Sequence, residues 1–134
     1  MGAGRSLHRH DDVIEAPLPP EADLWREDGY WRDRLIIDDL NHHAAVRPDQ
    51  LAYIDQQRTI TFAGVLAESD QIARALMALG VARGDSVALQ LPNCIEFALL
   101  HLALVRIGAI STLITPMSRA REVQGMLRNG RVKW

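Results

Sequence analysis

The sequence lacks most of the features that mark a self-sufficient catalyst or a nucleic-acid binder. It holds one cysteine, Cys94, which excludes an internal disulfide and suits a reducing compartment. Positive charge is not in excess: Lys+Arg number 15 against Asp+Glu 17, a formal net charge of -2. A nucleic-acid surface calls for a basic patch or stripe, and none is present. Long apolar runs are missing too. The longest stretch, residues 94–107, is broken by Glu96, His101 and Arg106, so it is too short and too polar to span a bilayer. Residues 1–12 mix Arg5, His8, Arg9 and His10 with Asp11 and Asp12 and contain no apolar core of a secretory signal. The expectation is a soluble, cytoplasmic protein. Glycine clusters are absent as well. Gly80, Gly84 and Gly108 stand singly, so there is no P-loop and no dinucleotide fingerprint.

What is present is an ordinary globular composition, 48% hydrophobic and 24% charged over 134 residues. That length is one domain or part of one, and buries about two-thirds of its unfolded surface when it folds completely. Residues 1–20, with Pro17, Pro19 and Pro20, read as a flexible N-terminal arm. Residues 21–134 read as the folded part. Leu24, Trp25, Tyr30 and Trp31 suggest a short helix whose aromatics dock on the body. Asp38 suits the N-cap of a helix that stops before Pro48. Residues 51–55 and 58–61 read as a hairpin, although Gln56-Gln57 lacks the usual turn residues.

From Thr61 onward the pattern alternates between helix and strand. Thr61 suits the cap of a long amphipathic helix ended by Gly80. Residues 86–91 form an apolar strand, and Asn93 with Glu96 has capping-box spacing. The next helix, to Arg106, is apolar nearly all round and therefore needs cover on several sides. A strand over residues 109–114 follows, then a helix capped by Ser118. Residues 131–134 read as the opening of one more strand. The layout is α/β with parallel strands. So many apolar elements in a short chain imply bare core surface, which would favour self-association.

Candidate chemistry is sparse. His8, His10, Asp11 and Asp12 cluster by chance in a tail. His42 and His43 are adjacent on a helix and point apart, which is poor geometry for joint ligation. His101 on the apolar helix reads as a packed, hydrogen-bonded residue. Cys94 lies near a helix N-terminus, where its thiol pKa would fall, but it reads as a small buried side chain. No residue is assigned a catalytic, cofactor-binding or metal-binding role.

Three stretches resemble the adenylate-forming enzymes, a superfamily of acyl-CoA synthetases, aryl-acid ligases and luciferases. Thr61-Phe62-Ala63-Gly64-Val65 resembles their first core motif, with Gly64 where the family usually has Glu. Gly80-Val81-Ala82-Arg83-Gly84-Asp85-Ser86-Val87-Ala88 with Leu91-Pro92-Asn93 and Glu96-Phe97 resembles the turn, strand and helix start that follow. Leu104-Val105-Arg106-Ile107-Gly108-Ala109-Ile110 with Thr115-Pro116 resembles the second core motif. Tyr30-Trp31-Arg32-Asp33, Ile37-Asp38-Asp39-Leu40 and Arg121-Glu122-Val123 are similar to the acyl-CoA ligases that include cyclohexanecarboxylate-CoA ligase. Residues 21–31 also resemble the dihydroxybenzoate-AMP ligases.

The resemblance implies the first part of the large domain of an AMP-forming carboxylic acid–CoA ligase, with a place in fatty acid metabolism. In the full-length family ATP and Mg convert the acid to an acyl-adenylate, and coenzyme A then takes the acyl group. The Ser/Thr/Gly-rich phosphate loop, the ribose-holding acidic and arginine residues and the C-terminal lysine match nothing in these residues. The expectation is a fragment that is inactive alone. Two alternatives stay open: a fragment of an aryl-acid AMP ligase, and a non-catalytic interaction module.

Overall fold

A computed structural model describes residues 19–32 and 34–134. The reading of residues 1–20 as an arm, and the His8, His10, Asp11 and Asp12 cluster, lie outside the described residues but for Pro19 and Pro20. The chain divides into two units, Met1–Asp33 and Arg34–Trp134. In the first, α1 (Ala22–Glu27) is a single short helix. Its Trp25 meets the Trp31 ring edge-on at 5.6 Å, and the Arg26 guanidinium sits 5.3 Å over Trp31. The two tryptophans thus pack on each other.

The second unit opens with α2 (Ile36–Val46), then β1 (Leu51–Ile54), β2 (Thr59–Thr61) and α3 (Phe62–Ala78). It continues with β3 (Ser86–Leu89), α4 (Ile95–Ile107), β4 (Ile110–Leu113) and α5 (Ala120–Asn129). β1 and β2 pair antiparallel, and β3 and β4 pair parallel, with Ser86 opposite Ile110 and Leu89 opposite Leu113. The expected α/β layout is therefore present. Residues 131–134, expected to open a further strand, form none, but Lys133 and Trp134 bond the other edge of β3. Lys133 N–H donates to the Ser86 carbonyl at 2.9 Å, and the Trp134 carbonyl accepts from Ala88 N–H at 3.0 Å. β4 bonds the carbonyls of Asp85 and Leu89, so the alternate groups of Ser86 and Ala88 face the other edge. β3 is thus flanked on both sides.

Helix α4 organises this unit. On one side Leu99 and Leu102 join Ile37, Leu40, Ile60 and Val65; on the other Leu104 joins Val81, Val87 and Leu89. A helix buried from two directions is the reason for its nearly continuous apolar sequence. Both long helices end as the glycines require. Gly80 and Gly108 adopt φ +101 and +79, and the following N–H of Val81 and of Ala109 returns to the carbonyls of Leu76 and Leu104.

Three expected caps are corrected. Asp38 is not the N-cap of α2: the helix starts two residues earlier, and the Asp38 carboxylate accepts from the Leu35 N–H at 2.9 Å. Ser118 does not cap α5: Arg119 holds that position, and its N–H donates to Glu122 at 2.9 Å. Asn93 is not the cap of α4 either. Cys94 occupies the N-cap without a side-chain cap bond, and the remote Asp55 accepts the Ile95 N–H at 3.0 Å. In each case a carboxylate accepts an amide at the helix start, that of the N-cap residue in α2 and α5 and that of the first helical residue in α4.

Asp55 also resolves the hairpin. Its other oxygen accepts from Gln57 N–H at 2.8 Å and Arg58 N–H at 2.9 Å. This Asx-type turn does the work that Gly or Asn would do at Gln56-Gln57. Thr61 caps α3 as expected, accepting from Gly64 N–H at 3.2 Å. Gly64 has a local reason of its own: a Cβ there would stand 2.8 Å from Ile60 Cγ1, in the core.

Two predictions follow from these contacts. Helix propensity favours Gly64→Ala by up to about 1 kcal/mol, but crowding a core isoleucine costs more. A net destabilisation of about 1 kcal/mol is expected in urea unfolding; a gain would show that Ile60 yields freely. Asp55→Ala should speed hydrogen exchange at the Ile95 amide roughly tenfold and lower the denaturation midpoint. Amides of Ile95, Arg58 and Gln57 hold the Asp55 carboxyl below its ordinary value of 3.8. Its contribution is therefore complete above that ordinary value and fades as pH falls through the lower folded-state value. Acid titrations of the wild type and of Asp55→Ala should converge in that window, and parallel curves would contradict this role.

Candidate functional site

The C-terminal ends of β3 and β4 open onto a cleft of about 370 Å³. Its lining comes from two separate stretches, Leu91, Pro92, Asn93 and Phe97 on one side and Leu113, Ile114, Thr115 and Pro116 on the other. Parallel strands bring both stretches to one edge, which is where open α/β sheets place their ligands. The amide of Gln90 ties the two rims together, donating to the carbonyls of Thr115 at 3.2 Å and Ser118 at 3.1 Å. The walls are largely apolar. Asn93 and Thr115 are the polar side chains in the lining, so the cleft can seat an apolar group but holds no acid, base or nucleophile.

The perturbed charges lie in the supporting contacts. Arg58 reaches Glu68 on α3 at 3.0 Å and Glu96 on α4 at 3.1 Å. The hydrogen bond to Glu68, ahead of the Glu96 contact, keeps the guanidinium above its ordinary pKa. The Glu96 carboxyl is held low, chiefly by its own backbone amide, with help from the Cys94 thiol and Arg58. Asp85 is buried, and it accepts from Ala82 N–H at 3.0 Å, from Lys133 Nζ at 2.9 Å and from Trp134 Nε1 at 3.3 Å. Burial pushes its carboxyl up, but the Ala82 amide, the ammonium and the indole together bring it below its ordinary value. Each carboxylate joins one part of the chain to another, and none is among the residues that line the cleft.

The weighed candidates take similar structural places. His101 Nδ1 lies 3.0 Å from Ser111 Oγ, and its ring is parallel to that of Phe97. It is packed and hydrogen-bonded. His43 packs against Phe62 with ring centroids 5.1 Å apart and contacts Arg47, while His42 is exposed. Among the described residues no three His, Cys, Asp or Glu side chains group as metal ligands. Cys94 is half-buried at the start of α4. Arg106 approaches Asp70 at 3.9 Å, too far for a hydrogen bond. The sequence reading missed Asp55, Arg58 and Asp85. The signal for Asp85 was its place in a motif that the reading treated only as a turn; Asp55 signalled its local Asx-type turn, while its bond to Ile95 and the contacts of Arg58 to Glu68 and Glu96 join residues ten or more positions apart.

Known proteins place this arrangement. Residues 40–134 match the family described as AMP-binding enzyme. The salicylyl-CoA synthase / salicylate adenylyltransferase of a Streptomyces species is 33% identical over 117 residues, 87% of this chain and 21% of that protein. The salicyl-AMP ligase / salicyl-S-ArCP synthetase of Mycobacterium tuberculosis is 37% identical over 113 residues, 80% of this chain and 20% of that protein. The apo structure of Mycobacterium smegmatis MbtA superposes with a TM-score of 0.81 at 35% identity, covering 87% of this chain and 22% of that one. The chain thus spans about a fifth of the length of the curated relatives it matches. The family match extends from α2 to the last residue, through the hairpin, both core motifs and the cleft, and the chain belongs to the AMP-binding enzyme family.

Proposed function

We propose that this chain is the opening scaffold of an ATP-dependent, AMP-forming carboxylic acid ligase, and that by itself it forms no acyl-adenylate. The observation that carries this reading is the match over residues 40–134 together with a cleft that holds no charged side chain. Acyl-adenylate formation needs donors aimed at the transferring phosphoryl group, and the cations Arg58 and Lys133 are engaged by scaffold carboxylates, Glu68 and Glu96 for the first and Asp85 for the second.

For the whole protein, the reading favours an aromatic acid over a fatty acid. Both sequence relatives described above are named for salicylate chemistry. ATP and Mg are the cofactors of this reading. The acceptor is a thiol, coenzyme A as in the name of one relative or a carrier protein as in the other. No helix among the described residues is long and apolar enough to cross a membrane, and the reading places the protein in the cytoplasm.

Two measurements test it. ATP–pyrophosphate exchange by the purified 134-residue chain should stay at background with salicylate, 2,3-dihydroxybenzoate, cyclohexanecarboxylate and medium-chain fatty acids. Acid-dependent exchange by the chain alone would overturn the scaffold reading. The nucleotides after the Trp134 codon, translated in three frames, should encode a Ser/Thr/Gly-rich loop followed by lysine. Its absence from every frame would turn the assignment toward an interaction module.

A further inference from the structure

The chain leaves β4, passes through α5 and pairs with β3, skipping the edge of β4 that it has just left. Sequential strands more often lie side by side. Nothing in the apolar character of residues 131–134 chooses between the two edges, because both are parallel templates of the same length. Ile110 and Leu113 on β4 are moreover exposed and offer apolar surface to a neighbour.

The difference lies one residue before each strand. β3 is preceded by Asp85 and β4 by Ala109, and the register that sets Ser86 against Ile110 makes these positions equivalent. Asp85 presents a buried carboxylate whose oxygens lie 3.0 and 2.9 Å from Lys133 Nζ. The same group accepts the Trp134 indole N–H at 3.3 Å and the Ala82 N–H at 3.0 Å. Ala109 has no acceptor side chain to offer. The arriving segment is turned toward this carboxylate by Arg131, which adopts a left-handed φ of 46 while the Val132 N–H returns to the Leu127 carbonyl at 3.0 Å.

We infer that Asp85 is an edge-selecting clasp: its carboxylate captures Lys133 and Trp134 and so directs the segment that follows α5 to the edge of β3 and not to that of β4. A buried charge left without its partner is costly, whereas a cation delivered by the wrong edge would meet only Ala109. The contact therefore rewards one topology and penalises the other. This inference rests on the fold and is independent of the proposed ligase activity.

Residue-resolved hydrogen exchange on the 134-residue chain tests it, with Asp85→Asn as a near-isosteric variant. The Lys133 and Trp134 amides should exchange at least about tenfold faster, while those of Ile110 and Ile114, which bond β3 carbonyls, change by less than about twofold. The indole N–H resonance of Trp134 should also shift. Lys133→Met removes the cation and leaves the carboxylate in place, and it should give the same selective loss. Unchanged exchange at residues 133 and 134 in both variants would overturn the clasp. So would random-coil exchange there in the wild type. Loss of protection at Ile110 and Ile114 in step with Trp134 in both variants would make Asp85 a general stability determinant and overturn it equally.

Discussion

The hydrogen bond from the Ile95 amide to the Asp55 carboxylate, at 3.0 Å, is the contact on which the rest of the larger unit depends. Helix α4 must be buried, because its side chains supply both apolar clusters: Ile95 and Leu99 are 2% and 1% exposed, and Leu104 is fully covered. A buried helix start cannot leave its first amides to water, and Cys94 offers no cap. Asp55 meets that need from 40 residues away and closes its own hairpin with the other oxygen. One carboxylate thus fixes the turn between β1 and β2, the docking of that hairpin, and the point where α4 begins. Arg58 repeats the linkage from the same turn, reaching α3 and α4 through Glu68 and Glu96.

The same economy recurs with Asp38, Asp85 and Glu122, each of which accepts a backbone N–H three residues before it. Shifted carboxylates often mark catalytic sites, since catalysis needs pKa values displaced toward the working pH. Here the shifts of Asp55, Asp85 and Glu96 are all downward. A carboxylate held more firmly ionised is a weaker base and no acid at neutral pH. The direction of the shifts, together with the contacts these carboxylates make to other elements, identifies a structural electrostatic framework.

The parts of the fold legible in the sequence are those governed by local chemistry. Thr61, Gly80 and Gly108 mark ends of helices because caps and left-handed turns are decided within a few residues. The all-round apolar pattern of α4 announced a helix covered from several sides, and the alternation after Thr61 announced parallel strands. The errors have a common origin. Asn93, Ser118 and Asp38 were read as caps on local spacing, but the amides at stake are satisfied by Asp55 across the fold, or by an ionised side chain further into the same helix. The reason for Gly64 where the family usually has Glu was not legible either, because it lies in the packing of Ile60 against that position. The cleft was legible only as motifs: Leu91-Pro92-Asn93 and Thr115-Pro116 stand more than twenty residues apart, and it is the pairing of β3 with β4 that brings them to one edge.

That convergence gives stretches so characteristic of the family a structural task. A proline-bounded exit from each strand, an amide from Gln90 bridging the rims and an apolar lining together fix the shape of an edge. Their lining carries no charged side chain. A turn that must place a helix start and a strand end within hydrogen-bond reach admits few residues, so such motifs are demanded by geometry alone. The larger unit is therefore built to hold an edge in position, with the two proline-bearing exits tied to each other across it.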